Sequence, residues 1–270
     1  MKKMKEVPEN CISEILSFTT PRDACRLAAV SKLFRSAASS DSLWDKWLPT
    51  HYAQILANSV SPITYSSKKQ LYFHLCQSIF LNGGTQRFWL QRPTGKVCSM
   101  LSSREFSIVW GDDERYWGWS PGEVANSSFK EVADVKMVGK FEVKSRFDCR
   151  LLSPNTDYSL SFLIKLGPHS RGWNNLPLKF NITTAEGDEM KSGRLLMDRE
   201  GARIDLNLTI APLNYLSDGW IEVVAGEFTA KAYTDSEMPN YIEFSMKEVD
   251  SVRWKSELFF DGVRIQPTSV

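Results

Sequence analysis

The sequence predicts an α+β, multidomain chain in which a helical N-terminal segment precedes an antiparallel β-sandwich of the jelly-roll kind. Three observations carry that expectation. Over the first eighty residues apolar side chains recur at helical spacing behind capping residues; from "FLNGGTQRF" onward they alternate in twos between turn clusters. No amphipathic segment of crossover length separates the later strands, which favours an antiparallel sandwich or jelly roll over a parallel sheet. The expected boundaries are 1–48 and 49–84 for two helical stretches and 85–270 for the sandwich.

The elements follow in order. Pro8 opens a helix with Ile12, Ile15 and Leu16 on one side. Thr20 is an N-cap, with Pro21 at the first helical position and Asp23 in the first turn of the next. A third helix begins at Ser31 with Leu33, Phe34 and Ala37 aligned, and a fourth at Asp41 with Leu43, Trp44, Trp47 and Leu48. After Pro62 a stripe of Leu71, Tyr72, Leu75, Cys76 and Ile79 predicts one more, broken at Gly83 and Gly84. In the second part Tyr158, Leu160, Phe162, Ile164 and Leu166 share one strand face. Phe141 with Val143, and Ile242 with Phe244 and Met246, repeat the pattern.

Composition narrows the function. An apolar fraction of 42% and a charged fraction of 24% describe a folding chain. The net charge of +1, with scattered Lys and Arg, offers no footprint for a phosphate backbone, so nucleic acid is not an expected partner. The start, "MKKMKEVPEN", has no apolar segment behind its basic residues, and no run approaches the roughly 18 apolar residues of a membrane span. Neither export nor membrane insertion is expected. The five cysteines (Cys11, Cys25, Cys76, Cys98, Cys149) show no CxxC pair or metal spacing and read as reduced, mostly buried thiols of a cytoplasmic or nuclear protein. On that reading the sequons at Asn126, Asn181 and Asn207 are ordinary strand and turn residues. No cofactor and no metal are implied.

About fifty N-terminal residues cannot bury all of Val7, Ile12, Ile15, Leu16, Leu27, Val30, Leu33, Phe34, Leu43, Trp44, Trp47 and Leu48 among short helices. A partner surface or neighbouring helices must take the surplus. The run Pro, Ile-Ser-Glu-Ile-Leu, Pro-Arg-Asp, Cys-Arg-Leu-Ala, Val-Ser-Lys-Leu-Phe-Arg and Leu-Trp, over residues 7 to 48, resembles an F-box, with Val7 in place of the customary Leu. The resemblance implies docking onto a Skp-type adaptor of a cullin ubiquitin ligase. Pro8, Ile12, Ile15, Leu16, Leu27, Val30 and Phe34 would then form or support the adaptor face, although a helix must also turn one side inward.

"WGDDERYWGW", from Trp110 to Trp119, sets three tryptophans among carboxylates and turn residues. A pyranose presents a C–H face that can lie on an indole and a rim of hydroxyls that must find polar partners once they leave water. Indole beside carboxylate supplies both. Trp117 and Trp119, two apart, face one side of an extended strand and are the expected direct contacts, beside Asp112, Asp113 and Glu114. Trp110 ends "FSIVW" on the side of Phe106 and Ile108 and has a core alternative, while Trp220 and Trp254 read as framework.

This stretch, with "SDGWIEVVAGEF" and "VRWKSELFFDGVRIQP", resembles the phloem lectins of plants, the phloem protein 2 or Nictaba-like family, over residues 85 to 267. The family implies a β-sandwich that binds chitin oligomers or N-glycan cores, with binding residues that match Trp110, Trp117 and Glu248 here. A second family glutamate falls near Tyr241, and the family's four-lysine nuclear signal is missing.

The resulting expectation is a ligase substrate receptor that holds a glycosylated target protein, through an oligosaccharide, beside the transfer enzymes, with Trp110, Asp113, Trp117, Trp119 and Glu248 as the sugar site. A protein-binding receptor without sugar recognition is the alternative. Glycosidase chemistry is not expected: acidic pairs such as Glu222 with Glu227 or Asp112 with Asp113 exist, but adjacent residues in a turn rarely oppose each other across a sugar. His51, His74 and His169 sit in no nucleophile arrangement.

Overall fold

The computed structural model describes residues 8–173, 177–185, 187, 194–198, 201–203, 213–232, 240–250 and 253–268, of which 194–198 and 201–203 are described by backbone alone. The chain divides into two compact units, one of residues up to 83 together with 87–98, the other of 84–86 and 99 onward. Residues 87–98 therefore group with the helices.

The first unit holds α1 (Glu9–Ser17), α2 (Pro21–Leu27), α3 (Lys32–Ala37), α4 (Asp41–Asp45), α5 (Tyr52–Ala57) and α6 (Lys68–Leu75), then β1 (Ile79–Leu81) and most of β2 (Gln86–Leu90). The helix starts are decided locally. Thr20 accepts a hydrogen bond from the Asp23 amide, Ser31 from that of Phe34 and Ser67 from that of Gln70, each satisfying an amide that the first helical turn leaves open. Trp44 fills the centre, fully buried, with its indole N–H on the Ala38 carbonyl at 2.8 Å and the rings of Trp47, Tyr72 and Phe73 within 5.1–5.4 Å. Burial pushes the Tyr72 phenol up in pKa and the Cys76 thiol up to about 11. Two details correct the sequence reading. Helix α5 was not expected, and Ile79 belongs to β1, because α6 stops at Leu75 and the left-handed Gly83 turns the chain between two strands.

The second unit is built from β3 (Val97–Ser102, entering it at Ser99), β4 (Ser107–Ile108), β5 (Trp117–Pro121), α7 (Gly122–Ala125), β6 (Glu131–Val135), β7 (Phe141–Asp148), β8 (Thr156–Arg171), β9 (Leu178–Thr184), β10 (Arg194–Asp198), β11 (Gly201–Arg203), β12 (Leu213–Tyr215), β13 (Ile221–Ala230), β14 (Tyr241–Glu248) and β15 (Ser256–Pro267). One sheet runs β3-β15-β8-β13-β12, with β6 on β15 and β5 on β6; the other runs β11-β10-β9-β14-β7-β4. The pairings of β7, β8, β13, β14 and β15 with their neighbours are antiparallel, in keeping with the alternating pattern. Between the sheets, Phe106, Phe162, Phe180, Phe244 and Phe260 meet at 4.8–6.4 Å, and the inward residues Tyr158, Leu160, Ile164, Phe141, Val143 and Met246 are fully buried. Gly262 sits at a bulge in β15 with φ of +146°; a Cβ there would lie 1.8 Å from the Leu101 carbonyl oxygen, so no other residue fits.

None of the five cysteines is joined in a disulfide, and only Cys98 and Cys149 are buried; Cys76 is half-buried, and Cys11 and Cys25 are exposed. Asn126 takes the left-handed C-cap of α7, Asn181 lies in β9, and Asn207 falls outside the described residues. Among the described residues no helix is long and apolar enough to cross a membrane, and no three potential ligands cluster as a metal site.

Candidate functional site

The tryptophan stretch begins where β4 ends. Val109 makes the last sheet bond, its amide to the Glu142 carbonyl at 3.1 Å, and Trp110 then adopts φ of +60°. That left-handed residue, rare for a bulky side chain, turns the backbone and throws the indole outward. Successive bonds from the Gly111 amide to Ile108, Asp113 to Trp110 and Tyr116 to Asp113 close a tight turn that returns the chain into β5. Trp110, 46% exposed, therefore does not continue the inward side of Phe106.

The turn assembles an open aromatic strip. Trp110 lies 5.1 Å from Tyr116 at a 36° tilt, and Tyr116 is stacked at 14° on Trp254, 6.3 Å away. Trp254 is 56% exposed, so its ring is open to solvent where framework burial was expected. Polar groups line the strip. Arg115 grips Asp113 through its Nε, 3.0 Å from Oδ1, and its Nη2, 2.6 Å from Oδ2, which holds the carboxyl down at a pKa of about 2. Its guanidinium stands 5.4 Å from the Tyr116 ring centre. Lys136 Nζ donates to the Glu114 carbonyl at 3.0 Å, and Asp112 and Glu114 are exposed.

The other expected contacts are placed differently. Trp117 is 2% exposed, donates its indole N–H to the Val109 carbonyl at 3.1 Å and stacks on Phe141 at 5.8 Å. It is core, and supports the turn from beneath. Trp119 shares its side of β5, opposite Ala133 as Trp117 is opposite Val135, but the Arg104 guanidinium occupies its ring face 3.4 Å from the centre and is itself tied to Glu131. Trp117 is closed to a ligand, while Trp119 is half-buried with Arg104 over one of its ring faces. The strand direction was legible, but which side faced the core was not.

Glu248 is 2% exposed and ion-paired with Lys255, itself 2% exposed. The Lys255 ammonium also donates to the Gly139 carbonyl at 2.8 Å and that of Arg253 at 3.1 Å, while its backbone bridges Val138 in both directions at 2.8 Å. Glu248 thus cannot touch a sugar; through Lys255 it anchors the segment that presents Trp254. Of the expected sugar residues, Trp110 and Asp113 share the strip, Trp117 and Glu248 sit behind it, and Trp119 is half-buried under Arg104. Tyr116 and Trp254 complete it. The missed signal for Trp254 was its neighbour: Lys255 turns inward, and in extended chain the preceding side chain then points outward.

A second cleft, of about 470 Å³, crosses the outer face of the β4-β7-β14-β9 sheet past Glu142, Lys144, Arg146, Asn181 and Glu243. Its one ring, Phe244, is 2% exposed, so nothing there can stack.

In the helical unit Ile12 and Leu16 are buried, Leu27 and Phe34 are half-buried, and Pro8, Ile15 and Val30 are exposed. Val7 falls outside the described residues. Phe18, which the sequence reading passed over, is 83% exposed one turn beyond Ile15, which is 59% exposed.

Residues 96–267 match the family model described as phloem protein 2, and residues 4–47 match one described as F-box-like. The chain is similar to F-box protein At2g02240 of Arabidopsis thaliana, 38% identical over 97% of this chain and 79% of that protein. It is similar to F-box protein PP2-B10 of the same plant, 36% identical over 97% and 93%. Among solved structures, the CBM22-1 xylan-binding domain of Paenibacillus barcinonensis Xyn10C matches 63% of this chain and 89% of its own at a TM-score of 0.32 and 12% identity.

Proposed function

Because the chain belongs to the phloem protein 2 family and carries an F-box-like segment ahead of that domain, we propose that it is the non-catalytic substrate receptor of a Skp-cullin-F-box type ubiquitin ligase, acting in the cytoplasm or nucleus, and that its sandwich recognises glycans on target proteins. The observation that carries the glycan reading is the exposed row Trp110, Tyr116 and Trp254, flanked by charged groups. Sugar rings set their C–H faces on the outer indoles, and the hydroxyl rim bonds to Asp113, Arg115 and the neighbouring carboxylates. Stacking that contributes on the order of 1 kcal/mol per ring gives micromolar to millimolar affinity. The ligase chemistry belongs to the recruited enzymes, and this chain supplies proximity. The adaptor face centres on Ile15, Phe18 and Val30, whose exposure a partner would remove.

A glycan array with chitin oligomers and N-glycans tests the first part. Binding by the full chain that falls about tenfold in Trp110→Ala and Trp254→Ala supports it, and silence on every sugar leaves only a protein-binding receptor. Co-purification with a Skp adaptor, lost in Ile15→Asp and Phe18→Asp, tests the second. Both positions are exposed, so either variant should still fold.

A further inference from the structure

The helical unit contains a cleft of about 420 Å³, within the size range of small-ligand sites. Its walls are apolar: Pro21 at the start of α2, Phe73 of α6 and Pro93 of the turn after β2. Into it lean three arginines, Arg22 and Arg26 four apart on α2 and Arg92 beside Pro93, together with the exposed thiol of Cys25. No carboxylate lines it. Asp23, the nearest in sequence, is turned to the Thr20 hydroxyl and to Arg26 at 3.3 Å. Among the described residues neither Arg22 nor Arg92 has a carboxylate partner; Arg92 instead lies 5.4 Å over the Phe73 ring.

Like charges gathered on one apolar cleft repel one another, and an anion removes that repulsion. Guanidinium forks match carboxylate, sulfate and phosphate oxygens, while proline and phenylalanine walls match a flat hydrocarbon body. Inorganic phosphate alone would leave the walls unused, and a neutral hydrocarbon would leave the arginines unpaired. We propose that this cleft binds a small organic anion, a flat apolar body that carries a carboxylate, sulfate or phosphate. Every residue that lines the site belongs to the helical unit, and the site does not depend on the glycan reading.

The probe is 8-anilinonaphthalene-1-sulfonate, an aryl sulfonate whose fluorescence rises in an apolar site, titrated into the full chain. Saturable one-to-one binding is expected, weakened about tenfold in Arg22→Gln and in Arg92→Gln, the loss of one charge-assisted contact. Neutral N-phenyl-1-naphthylamine, with nearly the same body, should bind at least about tenfold more weakly and ignore both substitutions. Phenyl phosphate should displace the probe and inorganic phosphate should not. Phe18→Ser, which removes exposed apolar surface elsewhere, should leave the affinity unchanged. Occupancy should also slow alkylation of Cys25, read by peptide mass with Cys11 as the internal reference. The proposal is overturned by probe affinity equal to wild type in both arginine variants, by loss in Phe18→Ser instead, by equal displacement with inorganic phosphate, or by unprotected Cys25.

Discussion

Replacing Lys255 by Met separates a positioning role for Glu248 from direct sugar contact. Both members of the pair are 2% exposed, and the ammonium also holds the carbonyls of Gly139 and Arg253. Methionine fills the volume of the lysine stem but leaves the Glu248 carboxylate inside the sandwich without its counter-charge. Breaking one side of such a pair costs about 3–5 kcal/mol. For a domain of this size each kcal/mol moves the melting temperature by about 2–4 °C, so Lys255→Met should melt on the order of 10 °C lower. Replacing both members, Lys255→Met with Glu248→Leu, should recover most of the loss, because an apolar pair of similar volume needs no counter-charge. Thermal unfolding of the full chain followed by circular dichroism at both variants is the measurement. A single variant that melts with wild type, or a double variant as unstable as the single, refutes the buried-pair argument. If Glu248→Gln abolished glycan binding at an unchanged melting temperature, Glu248 would be a contact after all.

Three further outcomes follow from the same geometry. Trp117→Ala should cost about 3–5 kcal/mol, read as a lower denaturant midpoint, because it empties a core position stacked on Phe141. Trp110→Gly should lose glycan affinity yet melt no lower than wild type, since glycine adopts the φ of +60° without strain; a large drop in melting temperature would contradict the exposed placement. Asp113, with its folded pKa depressed from 3.8 to about 2 by Arg115, keeps its charge from neutral pH down through pH 4 and loses the ion pair only as pH falls toward 2, so an NMR titration of its carboxyl should show a midpoint near 2.

The helix starts at Thr20 and Ser31 were legible because capping is a contact between neighbours: each side chain bonds an amide three residues away. The strand faces of β7, β8 and β14 were legible for a similar reason, since alternation fixes which side chains point together. The candidate site was only half legible. "WGDDERYWGW" marked the right stretch and a turn inside it, but periodicity could not give the sign of φ at Trp110, which moved that indole from the inward side to the outside. Nor could it show that Arg104 would cover Trp119, because the two are brought together only when Ser103 and its neighbours fold against β6.

By itself the sequence determined the helical and β periods, the caps and the family, all properties of residues close together along the chain. Only the tertiary structure decided which tryptophans meet solvent. Trp110 and Trp254 are separated by more than a hundred residues and share Tyr116 as a neighbour through the Val138–Lys255 bridge and the buried charge behind it. A surface made of distant residues depends on how strands pair, and pairing is settled by burial summed over the whole sandwich rather than by any local run of sequence.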